Sequence, residues 1–537
     1  LKGSNISLNG SSGESVALFW DGDPILGRID GALDARAVSL GTVNRIAVYQ
    51  GVDSLPFGSQ NVGGVISLET LWKTERQLQL RSSGGSFGRS LIAGKASNTT
   101  HNNFNYIGAV SNWRSQAVRS TSDSIDTYTD ATAALSASGM FGKSSVARVG
   151  GKDVDVRVGG SGFRQNSKGE FGGELTEGND QRTHIFADIK REASLFHFSF
   201  GQARHEFKSD FFDERAFRFG PQLEETVGNW TLLGGSVFDV HQTRATRIGD
   251  RSVNELTNGT YAGARYAINE HWAAGAGTRY DTGPNLFSPR AELRYMFSTG
   301  PFEHATIAET GLGFREVTAK ERYLDFSNPA VGYHVVGNSD LRTERSWMTA
   351  LRHVARAKKV TLRGSLFQTQ TRNAIGFQPV GTSGGDLTYT NISQTRTYGV
   401  QTGLDYRFLS DWQIGTNYQW LRGTNLENNS ALFLQPTHRV ALTINRDALF
   451  GFGLAGQATW TSRQGFFDRN RNRVIDGADW ADAYWMTSLE AGYGFRVRGW
   501  VELVRLFARV DNALDIVHPT TFPGEPRSFT AGGVLEL

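Results

Sequence analysis

A two-residue rhythm constrains this chain more than any other feature. From about residue 75 onward, runs of roughly ten residues place apolar or aromatic side chains at every second position. Val360, Leu362, Gly364 and Leu366 keep one register, and Val400, Thr402, Leu404, Tyr406 and Phe408 keep another. Trp412, Ile414, Thr416, Tyr418 and Trp420 do the same, as do Val440, Leu442 and Ile444, and Phe452, Leu454, Gly456, Ala458 and Trp460. The rhythm returns from Trp500 to Asp511 and at Phe529, Ala531, Gly533, Leu535 and Leu537. Successive side chains of a strand face opposite ways, so each run predicts a strand with one apolar face. About twenty such strands are expected. Strands in soluble sandwiches and propellers average about 5 to 6 residues, whereas about ten is the length a tilted strand needs to cross a bilayer. No repeat of about 40 to 50 residues marks propeller blades either.

The joins alternate in length. Leu409-Ser410-Asp411 and Asn445 to Gly451 read as short turns, while Asn166 to Arg182, Leu324 to Asn338, Gly381 to Asn391 and Phe466 to Asp482 read as long polar insertions. Short turns on one side and long loops on the other are the pattern of an outer-membrane barrel. Trp412, Trp420, Trp460 and Trp485 near run ends suit its interfacial girdles, although aromatics are also good strand formers in general. The mean hydropathy of −0.37 is no objection, because only alternate residues of such a strand meet lipid. No run of eighteen apolar residues supplies a spanning helix, which excludes a helical membrane protein.

Composition removes other classes. The chain has no cysteine, so neither a disulfide scaffold nor a thiolate zinc site holds it together. Its 56 basic and 53 acidic residues leave a net charge of +3, too little for a field that would attract nucleic acid. The chain starts at Leu1 with no signal peptide, as a processed or trimmed product does.

Residues 1–72 read differently from residues 73–537. Short apolar stretches, Val16 to Trp20 and Arg45 to Tyr49, alternate with glycine-rich turns, as in a small mixed α/β unit. Trp20-Asp21-Gly22-Asp23-Pro24, then Val43 to Gly51, then Leu55 to Ile66 with Gly58, Gly63 and Gly64, resemble in order the second half of the plug domain of TonB-dependent receptors. Gly58, Gly63 and Gly64 suit turns that need positive φ or close backbone approach, and Val65 to Leu68 suits a buried strand. The resemblance continues through Phe287 to Ala291, Gly313-Phe314-Arg315-Glu316-Val317, Gly337 to Ser346, Tyr389 to Ile392, Thr397 to Val400, Val510 to Asp515 and Pro523-Gly524. Val317 stands where the family often has proline.

That resemblance implies an all-β transmembrane barrel of 22 antiparallel strands in the bacterial outer membrane, with residues 1–72 as the C-terminal part of a plug inside the lumen. Asp21, Gly22, Gly51, Gly58, Gly63 and Gly64 are the plug-motif residues. It implies no enzymatic activity. The implied function is uptake of a scarce, large nutrient such as a ferric siderophore, cobalamin or haem. The implied partners are the TonB energising complex, outer-membrane lipid and lipopolysaccharide. The first half of the plug and the TonB box are expected before Leu1, and Leu537 stands where the family usually ends in an aromatic. A passive channel or a surface adhesin is the competing reading.

Two segments carry candidate chemistry. From Asp468 to Asp479, oxygen side chains recur at calcium-loop positions: Asp468, Asn470, Asn472, Asp476 and Asp479, with the Val474 carbonyl at position 7. Arg473 replaces the glycine of the sharp turn, and Asp479 is shorter than the usual glutamate. A bland alternative is an exposed loop whose arginines meet lipopolysaccharide phosphates. His334 lies between Phe314-Arg315 and the Asn338 to Leu341 segment, where haem receptors of the family carry a haem-ligating histidine. No strand–turn–helix elbow or other catalytic constellation is present.

Overall fold

The computed structural model describes residues 7–8, 11–12, 16–27, 41–58, 64–70, 76–99, 104–115, 131–149, 152–171, 174–207, 210–249, 251–328, 333–379, 386–446, 450–465, 475–497, 501–516 and 526–537. Among these, twenty-two strands each pair antiparallel with two neighbours, from Gln77–Gly85 to Ser528–Glu536. The last pairs with the first, Thr530 opposite Gly85 through Glu536 opposite Gln79, and Leu78 and Leu537 exchange backbone hydrogen bonds at 2.9 and 3.3 Å. Closure leaves no sheet edge to satisfy in lipid.

The two-residue rhythm becomes an inside and an outside. Leu362 and Leu366 stay 43% and 52% exposed, as apolar side chains on a lipid-facing surface do. Arg352, on the next strand at alternate parity to the exposed Leu351, turns inward to the plug residue Gln50. Aromatics collect near the short turns: Trp230 lies 4.6 Å from Tyr266 and Trp272 lies 4.4 Å from Tyr295. Near the opposite rim, Trp460 and Trp485 are direct cross-strand partners.

Barrel strands run from 9 to 22 residues, and this corrects two loop expectations over their described residues. Within Asn166 to Arg182, residues 166–171 belong to the strand Lys152–Phe171 and residues 174–182 to the strand Glu174–Arg191, paired from Asp155 opposite Lys190 to Phe171 opposite Glu174, while residues 172–173 lie outside the described residues. The polar residues there keep two-residue pairing because a barrel wall extends beyond the bilayer, where polar faces need no apolar partner. Likewise residues 386–391 belong to the strand Asp386–Arg407, and residues 381–385 lie outside the described residues. Leu324 to Asn338 is a loop insertion with structure of its own. Its strands Asp325–Asn328 and Tyr333–Val336 pair with each other, and the second pairs in parallel with Asp386–Arg407.

The N-terminal region folds as a four-stranded mixed sheet in the order Asp23–Pro24, Ala17–Trp20, Val65–Thr70, Val43–Tyr49. Its described helical part is a 3-10 segment, Gly51–Phe57. Phe19 and Val65 are buried with Ala17 against Tyr49 and Phe57, a small core that holds the sheet together inside the ring.

Candidate functional site: the plug against the barrel wall

Two projections of the plug reach the wall. The first is a hairpin tip, Trp20-Asp21-Gly22-Asp23, in which Trp20 and Asp23 are paired across a two-residue loop. Asp21 and Gly22 both take positive φ, 48° and 100°, as a type I′ turn requires, and Asp-Gly is a favoured sequence for it. The Asp21 carboxylate turns back into the plug and accepts hydrogen bonds from the Thr70 backbone N–H at 2.9 Å and the Thr70 hydroxyl at 2.8 Å. Burial pushes its acidity weaker than usual, against the pull of Arg157 and Thr70.

Asp23 faces outward. Its carboxylate meets Nε2 of His184 at 2.7 Å, Nε2 of His197 at 2.9 Å and the Ser199 hydroxyl at 2.5 Å, all on barrel strands. Burial would raise its pKa, but the two imidazoles overcome that and hold the carboxyl well below the ordinary range. His197 continues to Asp188 at 2.6 Å, and Asp188 is clasped by Arg157 at 2.6 Å. Arg218, paired with Asp239 at 2.7 Å, donates to the Gly22 carbonyl at 3.3 Å. Just beyond, the Gly27 N–H donates to Glu214 at 2.6 Å. A cavity of about 50 Å³ lies beside this contact, lined in part by Trp20, Ile25, Leu26, Phe163, Arg182 and His184.

The second projection is the 3-10 segment. Asp53 bridges Arg265 at 2.7 Å and Arg294 at 2.8 Å, and both guanidiniums also hold Glu292, at 2.8 and 2.9 Å. Burial works against ionisation of Asp53, but the paired arginines lower its pKa. Leu55 is fully buried with Val52 against Val237 and Tyr261. It sits on Gly277, where a Cβ would come within 2.6 Å of its methyl group. The Leu55 carbonyl accepts from Arg279 at 3.1 Å, and the Gly51 carbonyl accepts from Arg290 at 3.3 Å. Gly51 has φ of 60°, and a Cβ there would lie 2.9 Å from Glu292 and 3.0 Å from Glu309. Glycine therefore meets both a backbone and a space requirement at this position.

A third assembly covers the rim opposite the short turns. Arg315, buried at the end of its strand, donates to Glu321 at 3.0 and 3.1 Å and to Glu344 at 3.0 Å. Thr318 and Glu321 form a capping box on the short helix Ala319–Tyr323. Val317, Leu324, Val335, Leu341, Leu387 and Tyr389 make one buried cluster above it. Asn338 donates to the Tyr389 carbonyl at 3.0 Å, and Asn391 donates to the Arg342 carbonyl at 2.8 Å. The motifs at 313–317, 337–346 and 389–392 therefore meet in this lobe. Glu316 beneath it is pushed up to about 7, by burial first and then by Glu255, Asp281 and Asp239, against Arg322.

Of the residues singled out from sequence, Asp21, Gly22 and Gly51 lie at the plug–wall contact, and Gly58 and Gly64 take φ of 98° and 121°. Gly63 lies outside the described residues, as do Asp468, Asn470, Asn472 and Val474. Asp476 and Asp479 cap the 3-10 turn Gly477–Asp479, with the Asp476 N–H donating to Asp479 at 3.1 Å. His334 sits on the loop strand Tyr333–Val336, its Nε2 3.1 Å from Asp325. Sequence reading missed the wall partners His184, His197, Asp188, Arg265, Arg294 and Glu292. Their signal was the other half of the alternation: Arg290, Glu292 and Arg294 are spaced by two between apolar neighbours, and such polar positions face the lumen.

The family model for the TonB dependent receptor-like β-barrel matches residues 44–513. No curated protein matches the sequence. Among solved structures, the siderophore receptor PirA from Pseudomonas aeruginosa aligns with TM-score 0.73 at 14% identity, over 98% of this chain and 91% of that one. The copper transporter OprC aligns with TM-score 0.77 at 14% identity, over 99% and 92%. A mutant of the ferric enterobactin receptor PfeA from Pseudomonas aeruginosa aligns with TM-score 0.77 at 15% identity, over 98% and 91%. At such identities the likeness speaks for the fold, while the family match carries membership. The chain belongs to the TonB-dependent receptor family and is an outer-membrane β-barrel protein.

Proposed function

We propose that the protein imports a ferric siderophore across the outer membrane, with residues 1–72 as part of a plug, residues 73–537 as the barrel, and the TonB complex supplying the work that moves the plug. The observation that carries this reading is the kind of contact made by the plug. Asp23 and Asp53 are held to the wall by imidazole and guanidinium groups rather than by a continuous apolar seam. Charged contacts of this sort are exchangeable for water once the plug shifts, so a pulled plug loses them in small steps and regains them on return. PirA and PfeA are described as a siderophore receptor and a ferric enterobactin receptor, which supports the ligand class.

The test is growth of a host lacking its own siderophore receptors, starved of iron and complemented with the full-length protein. Rescue by a ferric siderophore that disappears when TonB is deleted is the expected outcome. Rescue that persists without TonB would point to a passive channel. Rescue only under cobalamin or haem starvation would reassign the ligand.

A further inference from the structure

The bridge at the hairpin tip fixes its own proton count. Both ring nitrogens of His197 face carboxylates, Nδ1 at 2.6 Å from Asp188 and Nε2 at 2.9 Å from Asp23. An ionised carboxylate only accepts, so both contacts are hydrogen bonds only when the ring carries both protons. Asp188 belongs to the wall strand Glu174–Arg191 and Asp23 to the plug, so this one imidazolium links the two bodies.

Its surroundings reinforce the requirement. The strand Ser194–Phe207 brings Ser199 to the other oxygen of Asp23. From Glu174–Arg191 come Asp188, together with His184 on the same Asp23 oxygen. From Lys152–Phe171 comes Arg157, on Asp188 at 2.6 Å and 3.9 Å from Asp21. From Asp210–Val227 comes Arg218, engaged with Asp239 and the Gly22 carbonyl. Set aside the Arg218–Asp239 pair, and three carboxylates, Asp21, Asp23 and Asp188, face Arg157 and two imidazoles. Removing a proton from His197 takes one hydrogen bond and one positive charge from this group together. The other anchor does not titrate in this way, because Asp53 is held by Arg265 and Arg294.

We infer that His197 is the pin that fixes the plug hairpin to the barrel wall, and that the pin holds only while its ring carries both protons. Loss of a proton loosens the Asp23 side of the plug, which His184 and Ser199 still hold, while the Asp53 side stays anchored. The inference rests on the plug leaving the wall during transport, but it is tested without nutrient or TonB, so its failure and that of the uptake reading are separable.

The test uses the full-length protein in planar bilayers under mild urea, with channel opening followed from about pH 6 to about pH 9, a span that covers imidazole titration. Wild type is expected to open about tenfold more often at the alkaline end, equivalent to about 1.4 kcal/mol. His197→Gln, which is neutral at every pH and carries its donors on a single nitrogen, is expected to open at the raised level throughout, with a flat profile. Asp53→Asn should raise opening equally at every pH and keep the wild-type slope. A His197→Gln profile that follows wild type would overturn the proposal. Nitrogen NMR of histidine-labelled wild type at about neutral pH gives a check independent of any variant: two protonated ring nitrogens on His197 are expected. A ring with one bare nitrogen would end the idea.

Discussion

Against the wall, the plug offers Asp23 to two histidines and Asp53 to two arginines, and among its apolar side chains Leu55 is fully enclosed at that contact. At the long-loop rim the proportions reverse. Six buried apolar residues gather over a single buried ion network, Arg315 with Glu321 and Glu344. The lobe joins segments more than seventy residues apart in sequence, Val317 to Tyr389, into one unit, and apolar burial is the means that does not depend on partner geometry. A plug that moves as proposed is better served by contacts other than apolar ones, since each buried apolar side chain adds about 1.5 to 3 kcal/mol to the work of removal. The contrast teaches that the plug meets the wall mainly through charged contacts, whereas the rim lobe coheres mainly through apolar ones.

The contrast breaks most readily at Arg315. Replacing it with alanine leaves Glu321 and Glu344 buried without a counter-charge, a loss of about 3 to 5 kcal/mol. Hydrogen exchange over residues 319–341 should accelerate strongly while the plug–wall contact stays intact. Unchanged protection there would mean that the apolar cluster holds the lobe unaided.

Leu55→Ala probes the fully buried apolar foot that the plug sets on the wall and should cost about 3 kcal/mol. The expected readout is plug release at lower urea, with no effect on proteolysis of the long loops. If release is unchanged, the ionic anchors alone set plug retention.

The smallest effect is a pH dependence of the lobe. Glu316 is raised from 4.5 to about 7, so the folded form keeps a proton that the unfolded form has lost. Stability contributed at this site is therefore present at pH below 4.5, declines as pH rises through the interval to about 7, and is level beyond it. The change should be about 2 kcal/mol for this partly buried group once solvent screening is allowed for. Glu316→Gln should flatten thermal melting of the lobe across that interval. A retained slope would mean that Glu316 is not its source.

The architecture was legible because it rests on a local rule. Alternation at 360–366 and 400–408 depends only on which face of each strand meets lipid, and every barrel strand repeats it, so about twenty strands could be read without knowing their neighbours. Loop boundaries were less legible. Residues 166–171 and 174–182 are polar and glycine-containing, and they are strand nonetheless, because pairing with the neighbouring strand continues where neither face meets lipid. Local composition responds to the bilayer, but hydrogen bonding does not stop at its surface.

The candidate site divides along the same line. Sequence by itself determined the Asp21-Gly22 turn and the glycine at position 51, since positive φ is a property of one or two residues. It also determined which residues share a strand face. The tertiary structure alone decided that Asp23 meets His184 and His197, or that Asp53 meets Arg265 and Arg294, because those partners are about 160 to 240 positions away in the chain. Which inward charge faces which plug residue depends on strand register and on how the plug sits in the ring, and both are set by the closed barrel as a whole.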